Sequence, residues 1–250
     1  MAIGGALGGY LIEGGALVGL LSITSIMIVL GATFGAVFIS MPMRELKEIP
    51  HLIKLVLFER NLDYDSLIAK ITELANIARK EGILALEPLA REIKHKFLAN
   101  GIMMVVDGMD KEAAKGIMEA EINAVQERHY RRAKIFELAG GYCPTMGILG
   151  TVMGMISIMK ELDEPSTLGP KIGMAFTATL YGVGFANIVF LPIAEKLKSK
   201  NHEEMIYMEI CMEGILSIQA GESPKIINEK LMVFVNQNKR IDDEEQPNGK

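Results

Sequence analysis

The sequence predicts an all-α integral membrane protein: transmembrane helices, the first of them truncated, with a helical cytoplasmic domain between the second and third spans. Three observations point there. Half of the 250 residues are hydrophobic, and the mean hydropathy is +0.26. Residues 141–159, GYCPTMGILGTVMGMISIM, carry no charge and are long enough to cross a hydrocarbon core, which takes about 20 apolar residues. The charged residues, 23% of the chain, gather in blocks with helical periodicity, and no strand pattern or internal repeat is present.

The elements follow in order. Residues 1–12, MAIGGALGGYLI, are apolar. At a rise of 1.5 Å per residue they cover about 18 Å of a roughly 30 Å core. They read as the outer part of a first span whose natural chain starts upstream of Met1, or as a re-entrant or interfacial segment. Residues 16–41 form the second span. Residues 42–138 form a cytoplasmic helical domain, with Leu67, Ile71, Leu74 and Ile77 as one apolar stripe. Gly82 ends a helix there. From Asp110 to Glu137 a long helical run leads into the third span, residues 139–160. Residues 161–169, ELDEPSTLG, form a short external loop before the fourth span, residues 170–195. In residues 196–250, Ser223-Pro224 reads as an N-cap followed by proline at the first helical position. A short helix over 226–235 and a disordered tail, DDEEQPNGK, complete the chain.

Charge sets the orientation. Of 26 Lys and Arg, 16 lie in residues 42–138 and 8 in 196–250, whereas the loop 161–169 has three acids and no base. The positive-inside rule places both charged regions in the cytoplasm and the loop outside. The membrane-proximal clusters that count most are Arg44 and Lys47, the HYRRAK run of 129–134, and Lys196, Lys198 and Lys200.

Composition also excludes. A net charge of −5 lacks the basic face that nucleic acid needs. Cys143 and Cys211 form no disulfide framework; Cys143 reads as a small packing residue. The four histidines show no metal-ligand spacing. No phosphate-binding loop and no nucleophile–base arrangement is present, so the expectation is no enzyme, no metal and no cofactor.

The later spans are the informative part. Residues 141–159 hold a proline, two threonines, a serine and four glycines, and the fourth span holds Thr177, Thr179, Gly182 and Asn187. Such spans either pack closely or line a polar path. Neither 141–159 nor 172–194 contains Asp, Glu, Lys, Arg or His. An ion path through them therefore needs a carboxylate from a partner; without one, the spans are a packed scaffold. Pro144 removes a helical hydrogen bond and reads as a static kink or a hinge. Thr179 reads as a pore hydroxyl or as one bonded back to its own helix. Gly31 with Gly35, Gly150 with Gly154, and the ladder Ala178, Gly182, Ala186 predict close helix approach, within the chain or between copies. In ARKEGILALE, residues 78–87, Arg79, Lys80, Glu81 and Glu87 form a solvated face or an electrostatic docking face.

Taken together, these segments resemble the MotA/PomA family of flagellar motor stator proteins. The resemblance rests on CPTMGILGTVMGM, FTATLYGVGFANIVFLPIAEKL, ARKEGILALE and VVDGMD in the order of elements above, and covers about residues 15–235. ExbB and TolQ are more distantly similar. The resemblance implies a homo-oligomer, a pentamer around a MotB dimer, in the bacterial inner membrane. The single MotB span would supply the ion-binding aspartate, and inward proton flow, or sodium flow, would turn the ring against the rotor protein FliG. It further implies that Pro144 takes part in the conformational change and that Thr179 faces the aspartate, with Thr145 and Thr151 as further pore residues. Arg79 and Glu87 match the family's rotor-binding charges, beside Lys80 and Glu81. Pro224 aligns loosely with a proline tied to torque. Two alternatives stand beside it: an ExbB/TolQ-like energiser of an outer-membrane process, and a passive membrane scaffold.

Overall fold

The structure, a computed structural model, describes residues 2–12, 14, 17–58, 62–160 and 165–245. Eleven α-helices are present among them: α1 (Ala2–Ile12), α2 (Ile23–Ser40), α3 (Met43–Leu46), α4 (Ile49–Leu57), α5 (Tyr64–Glu81), α6 (Leu86–Glu92), α7 (Lys96–Val106), α8 (Lys111–Met159), α9 (Pro165–Phe185), α10 (Leu191–Gln219) and α11 (Pro224–Glu245). No strand occurs in the described residues. Three helical runs are long and apolar enough to cross a membrane: Ile23–Ser40, Lys111–Met159 and Leu168–Gln219.

Local chemistry sets the ends. The Ser22 side chain caps α2 by accepting from the Ser25 N–H. At the other end Met41 is extended, the conformation favoured for the residue before Pro42. Asp63 caps α5 in the same way, accepting from the Ser66 N–H at 3.0 Å. That helix stops at Gly82, whose φ of +91° is one that side chains with a Cβ rarely adopt, as the sequence predicts. Asp110 accepts from the N–H groups of Glu112 and Ala113 and starts α8. The run from Asp110 and the third span are then a single 49-residue helix, with Pro144 inside it.

The chain divides into two compact units, residues 1–59 with 129–199, and residues 60–128 with 200–250. This differs from the expected domain 42–138 at both edges. In the first unit α3 and α4 bury Leu46 and Leu52 in one cluster with Ala133 and Phe136 of α8. Ion pairs reinforce them, Arg131–Glu45 at 3.8 Å and Arg132–Glu48. Glu137 of α8 meets Lys198 of α10 at 2.5 Å and Lys134 at 3.2 Å. The Lys198 ammonium holds the Glu137 carboxyl below the usual carboxylate range, and Lys198 is pushed up in turn.

The second unit closes on Leu67, Ile71 and Leu74 of α5, the stripe read from the sequence, against Ile210, Cys211 and Ile215 of α10 and Ile227 and Leu231 of α11. A Cβ at Gly214 would lie 2.6 Å from Ile71, so glycine permits this approach. Burial pushes the Cys211 thiol up, which keeps it protonated and inert.

Two loop expectations need correction. Of the loop 161–169, residues 161–164 lie outside the described residues, and α9 already begins at Pro165. The short helix over 226–235 is instead α11, which continues to Glu245 and so takes in part of the tail expected to be disordered; residues 246–250 lie outside the described residues. Lys, Glu, Gln and Arg carry enough helix propensity to extend it.

Candidate ion-pathway site

The site lies in the first unit, where α8 and α9 cross on small residues. A Cβ at Gly147 would fall 2.9 Å from the Ala178 carbonyl oxygen and 3.1 Å from the Gly182 Cα. One at Gly182 would fall 2.7 Å from the Cys143 carbonyl oxygen. Gly150 faces the Ala178 methyl, and Gly154 faces Ala175. Gly150, Gly154, Ala178 and Gly182 thus do what their spacing predicts, and Ala178 and Ala186 are buried. Gly31 and Gly35 do not: both are exposed, with no atom within 4 Å of an added Cβ. Among the described residues nothing packs against that pair.

Sequence reasoning missed Gly147, the residue at the centre of the crossing. The signal was there in Gly140, Gly147 and Gly154, spaced by seven, which returns a residue to nearly the same helix face.

Close approach brings two hydroxyls together. Thr151 Oγ1 lies 2.5 Å from Thr179 Oγ1, 3.0 Å from the Ala175 carbonyl oxygen and 3.2 Å from that of Gly147. A hydroxyl has one proton to donate. When Thr151 donates to a carbonyl, Thr179 donates to Thr151, and the remaining acceptor capacity of Thr179 is open to a third group. Thr179 is half-buried, so a third group can reach it. Such a pair can pass a proton along or ligate a cation, but it cannot hold a proton at neutral pH. Thr145 does not join it. That side chain is exposed and donates to the Tyr142 carbonyl oxygen of its own helix at 2.7 Å.

Close to this crossing α8 lacks one backbone hydrogen bond, and the helix that follows α9 changes its pitch. Pro144 cannot bond the Gly140 carbonyl, and Gly140 is where Leu191 approaches: an added Cβ would meet the Leu191 side chain at 2.6 Å. Beyond α9 the helix takes a π turn over Ala186–Phe190, where the Leu191 N–H reaches back to Ala186. Pro192 follows and likewise cannot bond the Ile188 carbonyl. Sequence reasoning missed Pro192, although the rule applied to Pro144 applies to it equally.

In the second unit, Arg79, Lys80 and Glu81 are exposed in the last turn of α5. Glu87, in the first turn of α6, is bound to Arg91 at 2.7 Å. Arg79 and Glu81 line a cavity of about 450 Å³ together with Leu84, Gln219 and Glu222; Lys80 and Glu87 lie outside it. Lys230 holds the Glu222 carboxyl below its usual range. Pro224 is the first residue of α11, behind Ser223, whose hydroxyl accepts from the Ile226 N–H at 3.4 Å. It does what its capping position predicts. Among the described residues no group of three or more His, Cys, Asp or Glu could hold a metal ion.

Residues 1–82 match the motility protein A N-terminal family, and residues 89–210 match the MotA/TolQ/ExbB proton channel family. Motility protein A of Bacillus subtilis is 38% identical over 240 residues, spanning 95% of this chain and 88% of that protein. The chain belongs to the MotA family. Chemotaxis protein PomA of Vibrio alginolyticus is 33% identical to this MotA-family chain over 242 residues, spanning 94% of it and 95% of PomA. The flagellar MotAB stator complex of Bacillus subtilis contains a chain with the same fold, at a TM-score of 0.84 and 35% identity, covering 97% of this chain and 98% of that one.

Proposed function

We propose that this stator subunit of the flagellar motor contributes the Thr151–Thr179 pair to a channel completed by a MotB-type partner. The observation that carries this is a 2.5 Å hydroxyl pair in spans that hold no Asp, Glu, Lys, Arg or His over 141–159 and 172–194. The pair can relay or ligate but cannot store an ion, so the storing carboxylate comes from the partner's single span. Several copies of this chain, as a pentamer, surround a MotB dimer. The ion is the proton, with sodium as the competing candidate. One elementary charge crossing 100 mV releases about 2.3 kcal/mol, enough to bias a conformational step.

The helix interruptions at Pro144 and Pro192 let α8 and α10 change shape as the carboxylate gains and loses its ion. Arg79, Lys80, Glu81 and Glu87 engage FliG, with the chain in the inner membrane and its charged regions in the cytoplasm. The chain performs no covalent chemistry.

The test uses motile cells lacking their own stator, complemented with this chain and its partner. Torque per stator unit is read from a bead on a single motor. Thr179→Ala should lower it about tenfold, as loss of one hydrogen bond in the transfer step does, at unchanged membrane levels, while Thr179→Ser retains it. A protonophore should stop rotation and sodium withdrawal should not. Full torque in Thr179→Ala and in Pro144→Leu would instead mark the spans as a passive scaffold. Failure to restore motility at all would favour an ExbB/TolQ-like role.

A further inference from the structure

The face of α9 opposite Thr179 carries a second hydroxyl network. The Tyr181 phenol accepts from the Ser22 N–H at 3.2 Å and donates to the Leu20 carbonyl oxygen at 2.5 Å. One turn earlier on the same face, Thr177 Oγ1 lies 3.0 Å from Ser25 Oγ, which also donates to the Met174 carbonyl oxygen at 3.2 Å. Ser25 Oγ meets Ser22 Oγ at 2.8 Å. Ser22, Ser25 and Thr177 are buried, and the Tyr181 ring stacks on Phe185 at a centroid distance of 6.0 Å. This network joins α9 to the start of α2 and lies outside the pair described above.

We propose that Tyr181 is a positioning residue for ion transfer, fixing the rotation of α9 about its own axis so that Thr179 meets Thr151. The inference rests on the role given to Thr179 above. Residues two apart on a helix point about 200° away from each other, so Tyr181 and Thr179 hold opposite sides of α9. On the α8 side the glycines pack without a preferred direction, and the hydrogen bonds to α9 there are those of Thr151 itself, to Thr179 and to the Ala175 carbonyl oxygen. Hydrogen bonds are directional and weaken steeply as they bend. The angular setting of Thr179 is therefore also held from the α2 side, independently of Thr151, by Tyr181 and by Thr177 one turn away. Tyr181 is the stronger of the two because it bonds backbone at the corner where the 3-10 turn Leu17–Leu20 gives way to α2. Tyr181 thus holds backbone on the α2 side, whereas Thr177 meets there the rotatable hydroxyl of Ser25.

A purely structural tyrosine would serve only to satisfy the corner's N–H and C=O. A double-mutant cycle separates the two roles. The variants are Tyr181→Phe, Thr179→Ala and the double, in the full chain with its partner, with rotation rate read per assembled stator unit at low load. Tyr181→Phe keeps the ring and its stacking but loses both hydrogen bonds. It should slow rotation about three- to tenfold, and the double variant should be no slower than Thr179→Ala alone. Ser25→Ala, which leaves the corner backbone paired, should show the same non-additivity with a smaller slowing. It decides the matter if Tyr181→Phe fails to reach the membrane. An unchanged rate in these variants, or slowing that multiplies with that of Thr179→Ala, overturns the positioning role. Thr179→Ala at full rate overturns the role of the threonine pair and this inference with it.

Discussion

At the scale of single residues, what matters is which hydroxyls and glycines meet. Thr145 and Thr151 share one helix and one side-chain chemistry, and each bonds a carbonyl of its own helix, yet only Thr151 also faces another span, because the two lie about 240° apart around the helix axis. Glycines divide the same way. Gly147 has carbonyl and Cα atoms about 3 Å from where a Cβ would be, whereas Gly31 has open space. Backbone cannot yield as a side-chain tip can, so Gly147→Ala should cost about 1–3 kcal/mol through overpacking. Gly31→Ala should leave the isolated chain as stable or more so, since alanine in a helix is favoured over glycine by about 1 kcal/mol. Thermal unfolding of the detergent-solubilised protein distinguishes them; equal losses at both sites would show that Gly31 is packed within the chain after all. A four-residue spacing picks out Gly31 and Gly35 as readily as Gly150 and Gly154, because sequence records the spacing and not the partner face.

At the scale of elements, α8 joins charged and apolar sequence in one continuous helix, and an ion pair fastens α10 to it. Glu137 is held low and Lys198 high by the same contact. A carboxylate with a depressed pKa stabilises the folded state above its unfolded value of about 4.3, and that contribution is lost as pH falls through the folded pKa. A lysine with a raised pKa contributes below about 10.4 and loses that as pH rises through its folded value. The pair should therefore be insensitive to pH across neutrality and fail at both extremes. Its contribution stays below about 1 kcal/mol because solvent reaches both groups. Glu137→Gln should remove the difference in unfolding midpoint between pH 6 and pH 2.5 that this contact adds; an identical pH profile in the variant would refute it. Much of the helical pattern was legible in the sequence, since periodicity marks the α5 stripe and Gly82 and the Ser223 cap mark helix ends locally. The pairing of Glu137 with Lys198, or of α4 with Ala133 and Phe136, was not. Those contacts join residues far apart in the chain, and local patterns do not encode partners.

At the scale of the whole molecule, two units have separate cores, and each is built from two stretches of chain. The Thr151–Thr179 pair belongs to one and Arg79, Lys80, Glu81 and Glu87 to the other. The two groups belong to different cores, and their lesions should therefore be separable. Arg79 is exposed at the end of α5, beside a cavity whose rim also carries Glu81 and Glu222. Arg79→Glu reverses one charge of that face without entering the core of Leu67, Ile71 and Leu74. It should reduce torque at least several-fold and leave ion conduction by the channel unchanged, whereas Thr179→Ala should reduce both. The comparison calls for conduction measured as cytoplasmic acidification in cells expressing channel variants, alongside torque in motile cells. Glu87 supplies an internal control. Its carboxylate is already bound to Arg91 at 2.7 Å on the protein surface, a contact worth about 0.3–0.5 kcal/mol, so Arg91→Ala should free Glu87 for a basic partner at little cost in stability and leave torque no lower than before. If Arg79→Glu instead abolishes conduction, the charged face acts on the channel and not on the rotor.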